Sequence, residues 1–136
     1  MSAGKLLIVY GASIAAFFAV DLVWLLTATP RIYKPRLGDL LAEQPKLAVA
    51  AGFYLLYVVA VVALAVVPGL REEALTGALW RGALLGLIAY ATYDLTNLAT
   101  IRDWPWQIAA IDIVWGTALT TVVTAVGYFV GQKLGL

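Results

Sequence analysis

Apolar residues come in four long blocks separated by short polar breaks. The first runs from about Leu6 to Thr29 and meets Pro30 and Arg31. The second runs from about Lys46 to Val67 and meets Pro68 and Gly69. The third runs from about Leu79 to Ile101 and meets Arg102 and Asp103, and the fourth runs from about Trp106 to Gly131, ahead of Lys133. Each block is close to the roughly 20 residues that a helix needs to cross the hydrocarbon core of a bilayer. Backbone groups have no water to bond there, so blocks of this kind must be helical. The pattern predicts an all-α polytopic membrane protein, a four-transmembrane-helix bundle forming a single domain over residues 1–136, with helices near 6–29, 46–67, 79–101 and 106–131. Only the first connection, 30–45, is long. It holds three prolines and mixed charges. Leu37, Leu40 and Leu41 share one helical face there, which suits a short interfacial helix and equally an ordinary solvated loop.

Composition changes the picture in one direction. Of 136 residues, 63% are hydrophobic and only 12% are charged, about half the charged share of a soluble domain, and mean hydropathy is +0.92. A soluble domain of this size could not hide so much apolar surface. The net charge of +1 provides no electrostatic footprint for nucleic acid. There are no cysteines and no histidines. Disulfides, thiolate nucleophiles, Cys/His zinc sites, histidine-ligated haem and Ser-His-Asp catalysis are therefore excluded. Lys5, Lys34, Lys46 and Lys133 all stand near block ends, so none is placed to form a Schiff base inside a span. The N-terminal block has the flavour of a signal peptide, but it is too long, contains Asp21 and lacks a clean cleavage site, so it reads as the first membrane helix.

In this topology the two termini and the second connection share a terminal face, and the first and third connections share a loop face. Basic residues divide four (Lys5, Arg71, Arg81, Lys133) against five (Arg31, Lys34, Arg36, Lys46, Arg102), which leaves orientation open. Small-xxx-small spacings at Gly82/Gly86 and Gly127/Gly131 permit close helix approach, and packing within the chain is favoured over a dimer seam.

Of eight acidic residues, five lie in connections. Asp21, Asp94 and Asp112 lie inside predicted spans, where a carboxylate costs about 2.5–3.5 kcal/mol on insertion scales and is a functional candidate by default. At 1.5 Å rise per residue, they sit roughly 12, 10 and 9 Å from the loop-face end of their helices, so three helices present a carboxylate at one level. Tyr90, Tyr93, Asp94 and Asn97 form one stripe on helix three. Phe17, Asp21 and Trp24 share a face on helix one, as do Asp112, Trp115 and Gly116 on helix four. Phe53, Tyr54 and Tyr57 reach similar depth on helix two. Arg102, Asp103, Trp104 and Trp106 stand at the mouth, where the tryptophans also suit interface anchoring. Helices one and four echo each other through Asp21-Leu-Val-Trp24 and Asp112-Ile-Val-Trp115. Three ionised carboxylates beside one arginine would leave the site near −2, so a proton or a cation is needed among them. A hard divalent cation is one possible occupant, although no metal motif is present and no metal is assigned.

The segments TYDLTNLATIRDWPW, IDIVWG, DLVWLL, FYLLYVVA and AYATYDLTN resemble a bacterial family of predicted four-helix membrane proteins, the domain-of-unknown-function family twenty-one seventy-seven. The likeness covers nearly the whole chain. It implies the fold and a lipid-linked setting, and it brings no mechanism.

The leading expectation is a multi-pass protein of the bacterial inner membrane that binds or transports a small amphiphilic, lipid-like or cationic ligand with proton exchange. Asp21, Asp94 and Asp112 would supply charge and proton exchange, and Trp24, Tyr93 and Trp115 the walls. Asn97 would orient the ligand, and Arg102 could meet an anionic head group. A homodimer would complete a transport path, and no cofactor is called for. A lipid-modifying enzyme is the second expectation, weakened by the missing nucleophile. A structural subunit whose polar network only holds helices is the third.

Overall fold

The computed structural model describes all 136 residues, and every regular element in it is helical. Helix α1 (Ala3–Ala28) opens at Ser2, whose Oγ accepts from the Lys5 N–H at 3.4 Å. The chain does not stop at Pro30, as the sequence pattern predicts. It runs on as a π-helical turn (Thr29–Tyr33), a short helix α2 (Lys34–Leu37) and one 3-10 turn (Gly38–Leu40). Pro30 and Pro35 each fall in the first two positions of their segments. Both lie within or just after the π-helical turn of a helix that continues from α1. The register change there spares the clash with the carbonyl of the preceding turn and accommodates a residue with no N–H to donate. Gly38, at φ 53°, turns the chain back where a side chain would be strained.

The same device recurs in the second rod. Helix α3 (Leu47–Val61) passes through a π-helical turn (Val62–Val66) into α4 (Val67–Arg71). Pro68 therefore sits just past a register shift inside the rod instead of ending it. A tight turn then leads into α5 (Leu75–Thr100), which begins four residues ahead of its predicted start, and α6 (Trp106–Lys133) follows.

Three rods, Ala3–Leu40, Leu47–Arg71 and Trp106–Lys133, are long and apolar enough to cross a membrane. Helix α5 matches them in length at 26 residues, but Arg81, Asp94, Asn97, four threonines and two tyrosines dilute its apolar run. Helices α5 and α6 form the most intimate pair, α1 lies along α6, and the α3–α4 rod closes the bundle against α5 and α1. Only 29 of 136 residues are buried, so the core is a thin seam. Val9, Val58, Val61, Val66, Leu119 and Val123 fill it. Leu7, Leu26, Leu47, Leu56 and Val114 point outward and are at least two-thirds exposed, a surface that lipid would cover at no cost.

Small residues set the helix spacing. A Cβ at Gly82 would run into Thr124, one at Gly86 into Gly116 and Thr120, one at Gly127 into Ser13 and Val66, and one at Gly131 into Leu70. Both small-xxx-small pairs are thus spent on contacts within the chain.

Candidate ligand-binding cavity

Helices α1 and α6 run antiparallel and carry the same four-residue word, aspartate first and tryptophan one turn later. Antiparallel packing puts each aspartate level with the other helix's tryptophan. Asp21 accepts from the Trp115 Nε1–H at 3.1 Å and from the Tyr54 O–H at 2.8 Å. Asp112 accepts from the Tyr33 O–H at 2.7 Å, and Tyr33 in turn accepts from the Trp24 Nε1–H at 3.1 Å. The two indoles stack between these pairs, with centroids 4.4 Å apart and planes 9° from parallel. The echo read in the sequence is therefore one cross-connected unit.

Asp94 is different. It is fully buried, at 0% exposure, yet neither carboxylate oxygen has a hydrogen-bond partner. The Asp112 carboxyl lines the same cavity and is close enough to interact with it. The Trp104 indole N–H, edge-on to Tyr93 with centroids 6.1 Å apart, is likewise buried without a partner. An orphaned buried polar group costs about 1–3 kcal/mol, and more when charged. Two carboxylates side by side cannot both stay ionised away from water, so a shared proton or a cation belongs between them.

These groups surround a cavity of about 220 Å³ beneath the loop face. Asp21, Asp94 and Asp112 line it from three helices, Trp24, Tyr54, Tyr90, Tyr93, Trp104 and Trp115 form its aromatic walls, and Leu37 and Leu41 close over it from the first connection. That connection is thus a cap tucked onto the bundle, with Leu37 buried and Leu40 turned out. The close approach of Tyr90 depends on Gly116, where a Cβ would land inside the phenol ring. No lysine or arginine lines the cavity. No three acidic side chains gather closely enough to hold a metal ion together.

The structure thus brings six of the eight expected residues to one cavity: Asp21, Asp94, Asp112, Trp24, Tyr93 and Trp115. Two stand outside it. Asn97 is half-buried beside Tyr93, one turn nearer the helix end than the cavity reaches. Arg102 is exposed in the α5–α6 turn, where the chain reverses through Asp103 at φ 61°, so it does not face the carboxylates. Tyr33 is the participant that the sequence concealed. It follows Pro30 and reads as loop, and only the π-helical continuation of α1 carries its hydroxyl to Asp112. Tyr57 and Phe53 also depart from the expected wall. Tyr57 hydrogen-bonds Thr120 at 2.8 Å below the cavity, and Phe53 is exposed.

The chain belongs to the family described as "Predicted membrane protein (DUF2177)", whose model matches residues 6–129. No curated protein and no solved structure matches it.

Proposed function

We propose that this chain is a four-span protein of the bacterial inner membrane whose loop-face cavity binds a small amphiphilic, lipid-like or cationic ligand, with proton exchange at the Asp94–Asp112 pair. One observation carries the reading: a fully buried carboxylate, Asp94, that faces a cavity with no protein donor on either oxygen. A carboxylate placed only to hold helices would be hydrogen-bonded, as Asp21 is. The orphaned oxygens, the second carboxylate and the absence of any basic lining residue favour an incoming cation. Aromatic faces around it add cation–π attraction. While the cavity is empty, one proton shared by Asp94 and Asp112 satisfies an oxygen of each, and an arriving cation displaces it.

Support for the fourth span is geometric. Helix α5 is packed along α6 through most of its length, and its 26 residues reach about 39 Å at 1.5 Å per residue. If α6 crosses the bilayer, α5 goes with it, with Tyr90, Tyr93 and Asp94 on the cavity.

The test uses dodecylamine with the full-length protein in detergent. Binding followed by calorimetry is expected to release close to one proton per amine and to weaken as pH falls. Asp94→Asn should abolish both effects while the protein keeps its helical content and thermal midpoint. Equal binding by the Asn variant, or none by either protein, refutes the reading.

A further inference from the structure

The orphaned atoms of the cavity describe what would satisfy them. Asp94 presents two oxygens that need donors, and Trp104 presents an indole N–H that needs an acceptor. A ligand that settles all three carries a protonated amine and, a short distance from it, an acceptor oxygen. The carboxylates have no basic lining residue to balance them, which calls for a positive charge. The unpartnered oxygens favour an ammonium that retains its N–H groups over one that is fully alkylated, because only the former can donate.

Two further features place the rest of such a molecule. Arg31, Lys34, Arg36 and Arg102 are all exposed, and they lie on the same segments that supply the lining residues Thr29, Tyr33, Leu37 and Trp104. Asp39, Glu43 and Asp103 are exposed on the same two connections. The rim is therefore mixed, with a small basic excess over an acidic interior, an order of charges that suits a zwitterion with a buried amine and an outer phosphate. The stacked Trp24–Trp115 pair is also a two-sided wall. Its inner side faces the cavity, and its outer side lines two grooves on the α1–α6 surface made almost wholly of apolar side chains such as Val23, Ile111 and Val114. An alkyl chain lying there would stay within the bilayer.

We propose that the cavity takes the head group of an ethanolamine phospholipid drawn from the surrounding bilayer. Its ammonium meets Asp94 and Asp112, its phosphate oxygens meet the Trp104 N–H and the basic side chains of the rim, and an acyl chain runs along the α1–α6 seam. The inference rests on the cavity being a ligand site.

Native mass spectrometry of the delipidated full-length protein, with dioleoyl phosphatidylethanolamine, phosphatidylcholine or phosphatidylglycerol added back, tests it. The ethanolamine lipid should be retained about tenfold better than the choline lipid, whose trimethylated amine cannot donate. Asp94→Asn should lose that preference. Trp104→Phe, which keeps the ring against Tyr93, should weaken retention several-fold with an unchanged thermal midpoint. Equal retention of ethanolamine and choline lipids, or a preference for phosphatidylglycerol, overturns the assignment. If dodecylamine still binds in an Asp94-dependent way, the broader reading survives alone, and if it does not, both fall. Soluble phosphoethanolamine binding as tightly as the lipid overturns the bilayer source.

Discussion

The two ends of the bundle are built on opposite rules. Toward the terminal face, helices meet through glycine, alanine, serine and threonine: Gly69 on Ala78, Gly82 on Thr124, Gly127 on Ser13. Serine and threonine hydroxyls there bond within their own helices, as when Thr124 donates to the Thr120 carbonyl at 2.7 Å and Ser13 to that of Val9 at 2.8 Å. Toward the loop face, indoles and phenols fill the space between α1, α5 and α6, and polar groups reach across helices for partners. Some find them and Asp94 does not. Without a hydrophobic drive between helices in lipid, packing and hydrogen bonding decide the assembly. The close-packed end can hold the bundle, which leaves the other end free to keep an unsatisfied group.

That contrast can be broken at its tight end. Gly82→Leu drives a side chain into Thr124, which is fully buried. A loss of about 3 kcal/mol is expected from overpacking, read as a fall in the midpoint of SDS-induced unfolding. A wild-type midpoint would mean that the terminal end does not carry the stability.

Inside the cavity, two aspartates should respond with opposite signs. Asp21→Leu strands the Trp115 N–H and the Tyr54 O–H and should cost about 2–3 kcal/mol. Asp94→Leu removes an orphaned carboxyl and strands no protein donor, so it should raise stability by about 1 kcal/mol while ligand binding is lost. The same unfolding assay compares them. If both variants destabilise alike, Asp94 is a structural partner like Asp21, and the distinction drawn between them fails.

The smallest effect lies at the terminal face, where the Glu72 and Arg81 side chains pair at the surface, with Arg81 Nη1 donating to Glu72 Oε2 at 3.0 Å. Hydrogen bonding to Arg81 holds the Glu72 carboxyl below the usual glutamate range. Since the folded value is depressed, the pair's contribution is present above the unfolded glutamate pKa and is lost as pH falls through the lowered folded one. Glu72→Gln should lower the thermal midpoint slightly at neutral pH and low salt, and that difference should vanish at acid pH or high salt. A large and salt-independent fall would show the turn, and not the small-residue seam, to be what secures this end.

Much was legible in the chain because a bilayer makes helix placement and depth simple functions of sequence. Block ends lie within a few residues of the rod ends except at Thr29, where the first rod runs on to Leu40. The fixed rise per residue put Asp21, Asp94 and Asp112 at one level before any contact was known, and helical phase joined Tyr93 to Asp94. The prolines misled, since Pro30 and Pro68 end helices only where the register cannot shift, and here π-helical turns shift it.

Tertiary structure alone decided which aspartate received donors. Trp115 lies 94 residues from Asp21 and Tyr33 lies 79 from Asp112, and no local rule pairs them. It also turned Arg102 away and carried Tyr33 in, because a side chain's use depends on where its helix end is directed once the bundle closes. Depth and periodicity follow from one helix at a time and were therefore written in the sequence. Partnership depends on the rotation of each helix against its neighbours, which the packing of Gly82, Gly116 and Gly127 fixes only after all the rods have met.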